Sequence, residues 1–219
     1  MKRGKSSDIQ AVIFDVGGVL ALGNKPSPKQ KHERTKGVHE YIAKKLNISI
    51  DQWFDSIDSS YSDAVEGKIS GEKALKIIAK NNKISSMKLE KIIIDAYRHN
   101  FKQNEQLFKQ AFKLKQIGYK IAILSDQWLI SRNAVMPKKL YKKFNLVVIS
   151  YEVGIRKPNP KIYKLILEKL DLPPKECLFI DNQKWNLFPA KKIGIKVIQF
   201  KTNSQLFKNK LWKNLWKTS

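Results

Sequence analysis

The chain has 219 residues, with 43 Lys or Arg against 19 Asp or Glu, and a formal net charge of +24. This length suits one large domain or one domain with an insertion, and a hydrophobic content of 42% is enough for a core. The single cysteine, Cys177, excludes a disulfide framework and is typical of a reducing compartment. No stretch reaches the roughly 18 apolar residues of a spanning helix, so the sequence predicts a cytoplasmic protein without a membrane span.

The positive charge is almost all lysine, spread along the whole chain, and arginine occurs at only five positions. Arginine is the residue that best makes bidentate contacts to phosphates and bases. We therefore interpret the lysines as solvated surface residues that reflect a compositional bias. We expect no specific nucleic-acid partner, only weak and salt-sensitive association with polyanions. The oligomeric state cannot be read from the sequence.

The first predicted element is a short apolar run, Ala11–Phe14, that ends abruptly at Asp15 and is followed by Gly17 and Gly18. A run of this composition is typical of a buried parallel strand. A carboxylate at the end of such a strand, on a glycine-rich turn, lies where open α/β sheets bind their ligands. The alternative is a turn in which Asp15 is only a local hydrogen-bond acceptor.

A polar linker is predicted from Gly23 to Lys29, and apolar residues at helical spacing follow it until about Phe101. Ser70 and Ser85 are suitable helix N-caps. The pattern predicts four amphipathic helices in a small bundle, broken at Asn47, Gly67, Gly71 and Asn81-Asn82. The three histidines (His32, His39 and His99) lack metal-ligand spacing and are interpreted as surface or helix-packing residues.

From Asn104 onward, helical segments alternate with short apolar strands. Cys177 lies beside one of these strands and is interpreted as a small core residue. Strands that alternate with helices predict an α/β fold with a doubly wound parallel sheet. The first strand belongs to the same sheet, so the helical bundle is an insertion. We assign residues 8–24 and 102–219 to the core and residues 25–101 to the bundle. The later strands are predicted at residues 121–124, 146–149, 178–180 and 195–200.

The tail from Ser204 carries leucines and aromatic residues among lysines. We interpret it as a terminal helix that packs its aromatic residues onto the core. The alternative is a helix that lies on a membrane surface.

Polar residues follow the predicted strands: Asp15, Ser125 and the pair Asp181-Asn182, with Lys157 just beyond the third strand. The carboxyl ends of parallel strands share one edge of the sheet, so these side chains should converge there. Carboxylates, a hydroxyl and an ammonium group together suit attack on a phosphoryl group or another electrophilic centre.

Four segments, AVIFDVGGVL, ILSD, VGIRKPNPKIY and LFIDNQKWNLFPAKKIG, resemble the motifs of the haloacid dehalogenase superfamily in order and spacing. The inserted bundle is similar to the small helical cap of that superfamily. The chain most resembles the branch that includes glucose-1-phosphate phosphatases and the phosphatase domain of soluble epoxide hydrolases.

The resemblance implies that Asp15 is a nucleophile that forms an aspartyl-phosphate. It implies that Ser125 and Lys157 hold the phosphoryl oxygens, with Asp126 beside the substrate. It also implies a Mg²⁺ site at Asp15, the carbonyl of Gly17, and the pair Asp181-Asn182. Hard oxygen ligands of this kind suit Mg²⁺.

Two residues depart from the superfamily pattern. Most phosphatases of the superfamily carry a second Asp, a general acid and base, where this chain has Gly17. Losing positioned proton transfer costs roughly 10²–10⁴ in rate. Asn182 falls on the usual position of a charged metal ligand. An uncharged amide at this position implies that the metal binds weakly, that Asp181 contacts it instead, or that no metal is used.

The leading interpretation is a Mg²⁺-dependent phosphatase that acts on a small phosphorylated metabolite. One alternative is a metal-independent dehalogenase, for which Arg34 is a weak candidate to bind the carboxylate of a haloacid. Another is a binding protein that retains the fold without the activity.

Overall fold

The computed structural model describes residues 9–23 and 37–217. It confirms the predicted fold class, since the described residues form an open parallel sheet with helices on both faces. The strands are β1 (Ala11–Phe14), β2 (Ala21–Gly23), β3 (Phe101–Gln103), β4 (Lys120–Ser125), β5 (Leu146–Ile149), β6 (Cys177–Asp181) and β7 (Lys196–Gln199). Five of them pair in the order β5-β4-β1-β6-β7, so the first strand of the chain lies at the centre.

Side chains of the central strand alternate between two separate apolar layers. Val12 and Phe14 pack into one layer, and Ala11 and Ile13 pack into the other. This is the two-residue period of a strand buried on both faces. Because Phe14 pairs with Ile123 of β4 and with Ile180 of β6, the three strands end side by side. The register therefore delivers the polar residues that follow them to one edge.

Four helices of the described chain lie between β1 and β4 of the sheet, as the helical spacing predicts. Each of the two predicted N-caps is present: the side chain of Ser70 accepts from the N–H of Lys73, and that of Ser85 from Lys88. Gly71, which was expected to lie between two helices, is instead the first helical residue after the Ser70 cap. The helices are α1 (Val38–Leu46), α2 (Ile50–Val65), α3 (Gly71–Asn81) and α4 (Ser86–Asn100).

The described chain enters and leaves this helical region through a two-stranded antiparallel ribbon that the sequence did not predict. In it β2 pairs with β3, and Gly23 lies opposite Phe101. Three residues on each strand are too few to give a periodic pattern. Beyond Gly23, the predicted linker to Lys29 lies outside the described residues, as do His32 and Arg34.

Eight further helices of the described chain surround the sheet. Three of them were missed because they are short and lack a clear apolar period: two lie between β4 and β5, and one directly follows β5. The eight are α5 (Glu105–Gln116), α6 (Leu129–Val135), α7 (Lys138–Tyr141), α8 (Ser150–Val153), α9 (Pro160–Leu170), α10 (Lys184–Lys192), α11 (Asn203–Lys208) and α12 (Lys210–Asn214).

The tail packs against the sheet as two short helices instead of the single one expected. Asn209 ends α11 and caps α12, where its side chain accepts from the N–H of Leu211. Leu206, Trp212 and Leu215 are buried, and the ring of Trp212 lies edge-on to that of Phe14 with centroids 6.5 Å apart. This agrees with a tail that packs onto the core. Within the ranges described, none of the helices combines the length and apolarity that crossing a bilayer requires.

Cys177 begins β6 and is fully buried, as expected of a core residue. Burial raises the pKa of its thiol to about 12. Because the thiolate is the reactive form, we predict that the native protein will not react with a thiol reagent such as dithionitrobenzoate. One equivalent should react after unfolding in guanidinium chloride, which serves as the control. Rapid labelling of the native protein would contradict this burial.

Candidate active site

The centre of the candidate site is a lysine held between two carboxylates. Asp15 follows the last residue of β1, and its Oδ1 lies 2.9 Å from Nζ of Lys157. The same Nζ lies 2.8 Å from Oδ2 of Asp181, the last residue of β6. The side chains of Lys157 and Asp181 are almost completely buried, and that of Asp15 is 9% exposed. Residues from three separate parts of the sequence therefore meet at one edge of the sheet.

Burial and mutual charge set the ionisation of this cluster. Burial raises the pKa of Asp15 to about 6; Lys157 opposes the rise and Asp181 adds to it. Burial alone would lower the pKa of Lys157, but Asp15, Asp181 and Asp126 outweigh burial and hold that pKa well above its usual range. At neutral pH, Lys157 is therefore a cation and Asp15 an anion.

Asp181 is fully engaged within the protein. Its Oδ1 accepts from the N–H of Gln183 at 2.7 Å, and its Oδ2 accepts from Lys157 and from Nδ2 of Asn186 at 3.0 Å. Asn186 is itself fixed, because its carbonyl accepts from the hydroxyl of Tyr163 at 2.7 Å. Sequence reasoning did not assign Asn186 or Tyr163 to the site. The signal was an asparagine on the buried face of the helix that follows Asp181.

The next residue, Asn182, has an unused acceptor. Its Oδ1 is buried and has no hydrogen-bond partner among the residues that the structure describes. The amide lies against the turn after β1, since a Cβ on Gly18 would be 2.4 Å from Nδ2 of Asn182. Gly18 has φ +80°, a conformation that also favours glycine. The glycine thus allows the Asn182 amide to approach the turn beside Asp15.

Gly17, the other departure from the superfamily pattern, has free space around it. A Cβ at Gly17 would meet no heavy atom of residues 9–23 or 37–217 within 4 Å. The residue pairs with Ala21 in an isolated bridge that fixes the turn. The position therefore has room for a side chain.

The residues at the end of β4 are placed at the same edge but have different surroundings. Ser125 is the last residue of β4 and is buried; in the described chain, no hydrogen bond joins it to Asp15 or Lys157. Asp126 uses Oδ1 to accept from the backbone N–H of Lys157 at 3.0 Å. Burial raises the pKa of Asp126. One oxygen of Asp126 therefore holds the main chain of Lys157, a positioning contact that the sequence did not predict.

A connected group of polar residues follows Asp126, and the sequence analysis did not predict it. The hydroxyl of Tyr141 donates to Oε1 of Gln127 at 3.1 Å, and burial raises the pKa of Tyr141 to about 12. The guanidinium of Arg132 lies 5.3 Å from the centroid of the Tyr141 ring and pairs with Glu152 at 3.0 Å. These residues lie on or beside α6, α7 and α8, the three helices that were missed.

The helical bundle meets the residues around α6 at an apolar cavity, and it meets the segment before Lys157 at an ion pair. The cavity is lined by residues that include His39, Trp53 and Tyr61 of the bundle and Trp128, which precedes α6. Nδ1 of His39 accepts from Nε1 of Trp53 at 2.9 Å, and burial lowers the pKa of this histidine. His39 is therefore a packing residue, as expected. At the second contact, Glu66 pairs with Arg156, the residue before Lys157, at 3.0 Å.

Carboxylates and an amide oxygen are the metal-binding groups that this site offers. Among residues 9–23 and 37–217, no group of three or more His, Cys, Asp or Glu side chains is close enough to hold a metal ion. Any metal would therefore need amide or backbone oxygens as well as carboxylates. The unpaired Oδ1 of Asn182 is such an oxygen, and the donor set is all oxygen, which fits a hard cation such as Mg²⁺.

Several known proteins are similar to this chain. Bifunctional epoxide hydrolase 2 of Sus scrofa is 27% identical over 87% of the chain, which spans only 36% of that relative's length. Glyceraldehyde 3-phosphate phosphatase of Pyrococcus abyssi is 28% identical over 42% of the chain and 40% of its own length. (S)-2-haloacid dehalogenase 1 of a Pseudomonas species is 23% identical over 87% of the chain and 84% of its own length.

Solved structures share the fold. A haloacid dehalogenase family enzyme from Bacteroides thetaiotaomicron, in complex with magnesium and inorganic phosphate, superimposes with a TM-score of 0.74. The match covers 91% of this chain and all of the other, at 23% identity. The model of the haloacid dehalogenase-like hydrolases matches residues 9–194, from just before β1 to just after α10. The chain therefore belongs to the haloacid dehalogenase-like hydrolase family.

Proposed function

We propose that this hydrolase is a phosphatase that acts on a small phosphorylated metabolite through an aspartyl-phosphate. The observation that carries the proposal is the contact of 2.9 Å between Asp15 and a buried, permanently charged Lys157. An anionic nucleophile beside a fixed cation suits transfer of a group that bears negative charge. The phosphatase from Pyrococcus abyssi among the relatives supports this substrate class.

The proposed reaction has two steps. An oxygen of Asp15 attacks phosphorus, and the bond from phosphorus to the leaving oxygen breaks, so that the alkoxide departs with the bonding electrons and takes a proton from solvent water. Water then attacks the phosphorus of the aspartyl-phosphate, which releases inorganic phosphate and restores the carboxylate. Lys157 and Ser125 hold the phosphoryl oxygens in both steps. Asp181 and Asp126 position Lys157 through its ammonium and its backbone N–H.

We propose Mg²⁺ as the cofactor, held by Asp15, the carbonyl of Gly17 and the amide oxygen of Asn182. The unpaired Oδ1 of Asn182 supports this assignment. Both oxygens of Asp181 already accept hydrogen bonds, which favours a role in holding neighbouring residues over direct contact with the ion. When bound, the ion would neutralise charge between the carboxylate and the phosphate. The magnesium and phosphate in the Bacteroides enzyme are consistent with this cofactor.

The leaving group should decide which substrates turn over. Gly17 has no side chain that could protonate a departing alkoxide. Substrates with good leaving groups, such as sugar-1-phosphates or acyl phosphates, should therefore lose the least hydrolysis rate. Equal turnover of a sugar-1-phosphate and the matching sugar-6-phosphate would contradict this preference.

Introducing the missing carboxylate should raise the activity. Because the structure leaves space around Gly17, we predict that Gly17→Asp folds and increases turnover of a poor-leaving-group phosphate by about 10²-fold. Turnover of p-nitrophenyl phosphate, whose leaving group needs little protonation, should change much less. Gly17→Asn is the matched control, since it fills the same space without an ionisable proton. Equal gains for the two variants would contradict an acid-base role at this position.

Dehalogenation is the second candidate, and the dehalogenase among the relatives favours it. The same Asp15 would displace halide from a 2-haloacid, and neither Gly17 nor Asn182 would harm a reaction that uses no metal. Arg34, the candidate for the substrate carboxylate, lies outside the described residues.

Metal removal separates these functions. We predict that the purified protein hydrolyses p-nitrophenyl phosphate with Mg²⁺. In EDTA the rate should fall by a factor of about ten or more, since the ion offsets charge repulsion during attack. Adding Mg²⁺ back should restore the rate, which controls for damage by the chelator. Chloride release from 2-chloropropionate, unchanged by EDTA, would support the dehalogenase instead. Absence of both turnover and Mg²⁺ binding would support a binding protein without catalysis.

A further inference from the structure

The outer face of α10 carries two large aromatic side chains that nothing in the described protein covers. Trp185 is 62% exposed and Phe188 is 68% exposed. On a helix with 3.6 residues per turn, positions three apart lie on the same side, so the two rings are neighbours. The opposite side of the helix fixes this orientation, because Asn186, Leu187 and Ala190 are buried against the sheet.

Lysines surround the two rings on this same face. Lys184, Lys191 and Lys192 are exposed, and the helical positions of all five residues fall within about 120° of the helix circumference. The helix contains no acidic residue. We call these five residues the α10 face: Lys184, Trp185, Phe188, Lys191 and Lys192.

The segment of sequence that contains the α10 face is uniformly basic. From residue 182 to the C-terminus, the sequence contains nine lysines and no aspartate or glutamate. That stretch includes α10 and the strand β7 on which it packs. A basic segment without carboxylates attracts an anionic surface and repels a cationic one.

A second copy of this chain is a poor occupant for the α10 face. A twofold contact brings the same surface patch of both copies together. Three lysines would then face three lysines, with no acidic residue on either helix to pair with them. The occupant must instead be anionic, and it must also accept two aromatic rings.

We propose that the α10 face binds the surface of an anionic phospholipid bilayer. Trp and Phe enter the boundary between headgroups and acyl chains, where an aromatic ring can leave water. The lysine stems extend beside them, so their ammonium groups reach the lipid phosphates. This is shallow attachment by one helix face, and it differs from attachment by the tail, whose main apolar side chains are buried. It is independent of the reaction proposed above.

Vesicle flotation of the full chain tests the proposal. We expect binding to phosphatidylcholine vesicles that contain about 30% phosphatidylglycerol, little binding to pure phosphatidylcholine, and weakening by salt. Trp185→Ser combined with Phe188→Ser should weaken binding by about tenfold or more. Met87→Ser is the matched control, because Met87 is 83% exposed on α4, away from this face, and its loss should change nothing.

Charge and insertion have their own readouts. Lys191→Gln with Lys192→Gln should weaken binding, and Lys109→Gln with Lys113→Gln on α5 should weaken it much less. Acyl chains brominated near the headgroup should quench tryptophan fluorescence in the wild type and not in Trp185→Phe. Full binding by the Trp185 and Phe188 double variant would overturn the proposal, since lysine charge alone would then account for the binding. Absence of binding to anionic vesicles, or a solution dimer that the double variant dissociates, would also overturn it.

Discussion

Asp15→Asn should abolish hydrolysis, with the rate for p-nitrophenyl phosphate in Mg²⁺ falling by about 10³-fold or more. Asparagine keeps the shape of the side chain but cannot form the aspartyl-phosphate, so the covalent route is lost entirely. The measurement is the steady-state rate of the two proteins purified in parallel. A residual rate near that of the wild type would mean that another residue, or a contaminant, performs the hydrolysis.

The same variant should keep its stability, which separates chemistry from folding. The pKa of Asp15 is about 6 in the fold against an ordinary value of 3.8. As the pH rises from 3.8 to 6, the unfolded chain ionises first, so ionised Asp15 opposes folding at neutral pH. In EDTA at neutral pH, we therefore expect Asp15→Asn to unfold at a temperature no lower than the wild type. Asp95→Asn, an exposed change on α4, is the control and should retain activity.

Lys157→Met should destabilise the protein and inactivate it together. Methionine has a similar length but leaves Asp15 and Asp181 buried without their shared cation. Removing one partner from a buried ion pair costs about 3–5 kcal/mol of unfolding free energy. Urea unfolding at neutral pH measures this loss, and Lys164→Met, an exposed change on α9, is the matched control.

The pH dependence of that loss identifies its cause. The raised pKa of Lys157 means that its stabilising effect is complete below its ordinary pKa of 10.5, so between pH 5 and 8 the lysine itself contributes no slope. Lys157 lowers the pKa of Asp15, so without the lysine Asp15 takes up its proton at a pH above 6, where the wild type is still ionised. The difference between Lys157→Met and the wild type should therefore shrink as the pH falls toward 6. A loss that does not vary with pH would indicate a packing defect instead.

The sequence predicted that Asp15, Lys157 and Asp181 converge because the alternation of strands and helices indicated a parallel sheet. Asp15 and Asp181 follow or end apolar runs typical of buried parallel strands, and the carboxyl ends of parallel strands share one edge. No further information was needed to bring Asp15 and Lys157 together. The serine caps of α3 and α4 were predictable for a similar reason, since a cap depends on a few adjacent residues.

The contacts between segments were not predictable in this way. Asp126 bonds to the backbone of Lys157, 31 residues away, and no local pattern encodes that distance. Tyr141 and Gln127 meet through short helices without an apolar period. The unpaired oxygen of Asn182 depends on where every neighbouring donor lies, which only the folded chain determines.

The ribbon of β2 and β3 makes the protein modular. Because Gly23 lies opposite Phe101, the chain leaves the α/β core and returns to it at a single point. A short hairpin turn could join these two residues without altering the register of β1 with β4. Replacement of the intervening segment is therefore compatible with an unchanged arrangement of Asp15, Lys157 and Asp181 at the sheet edge.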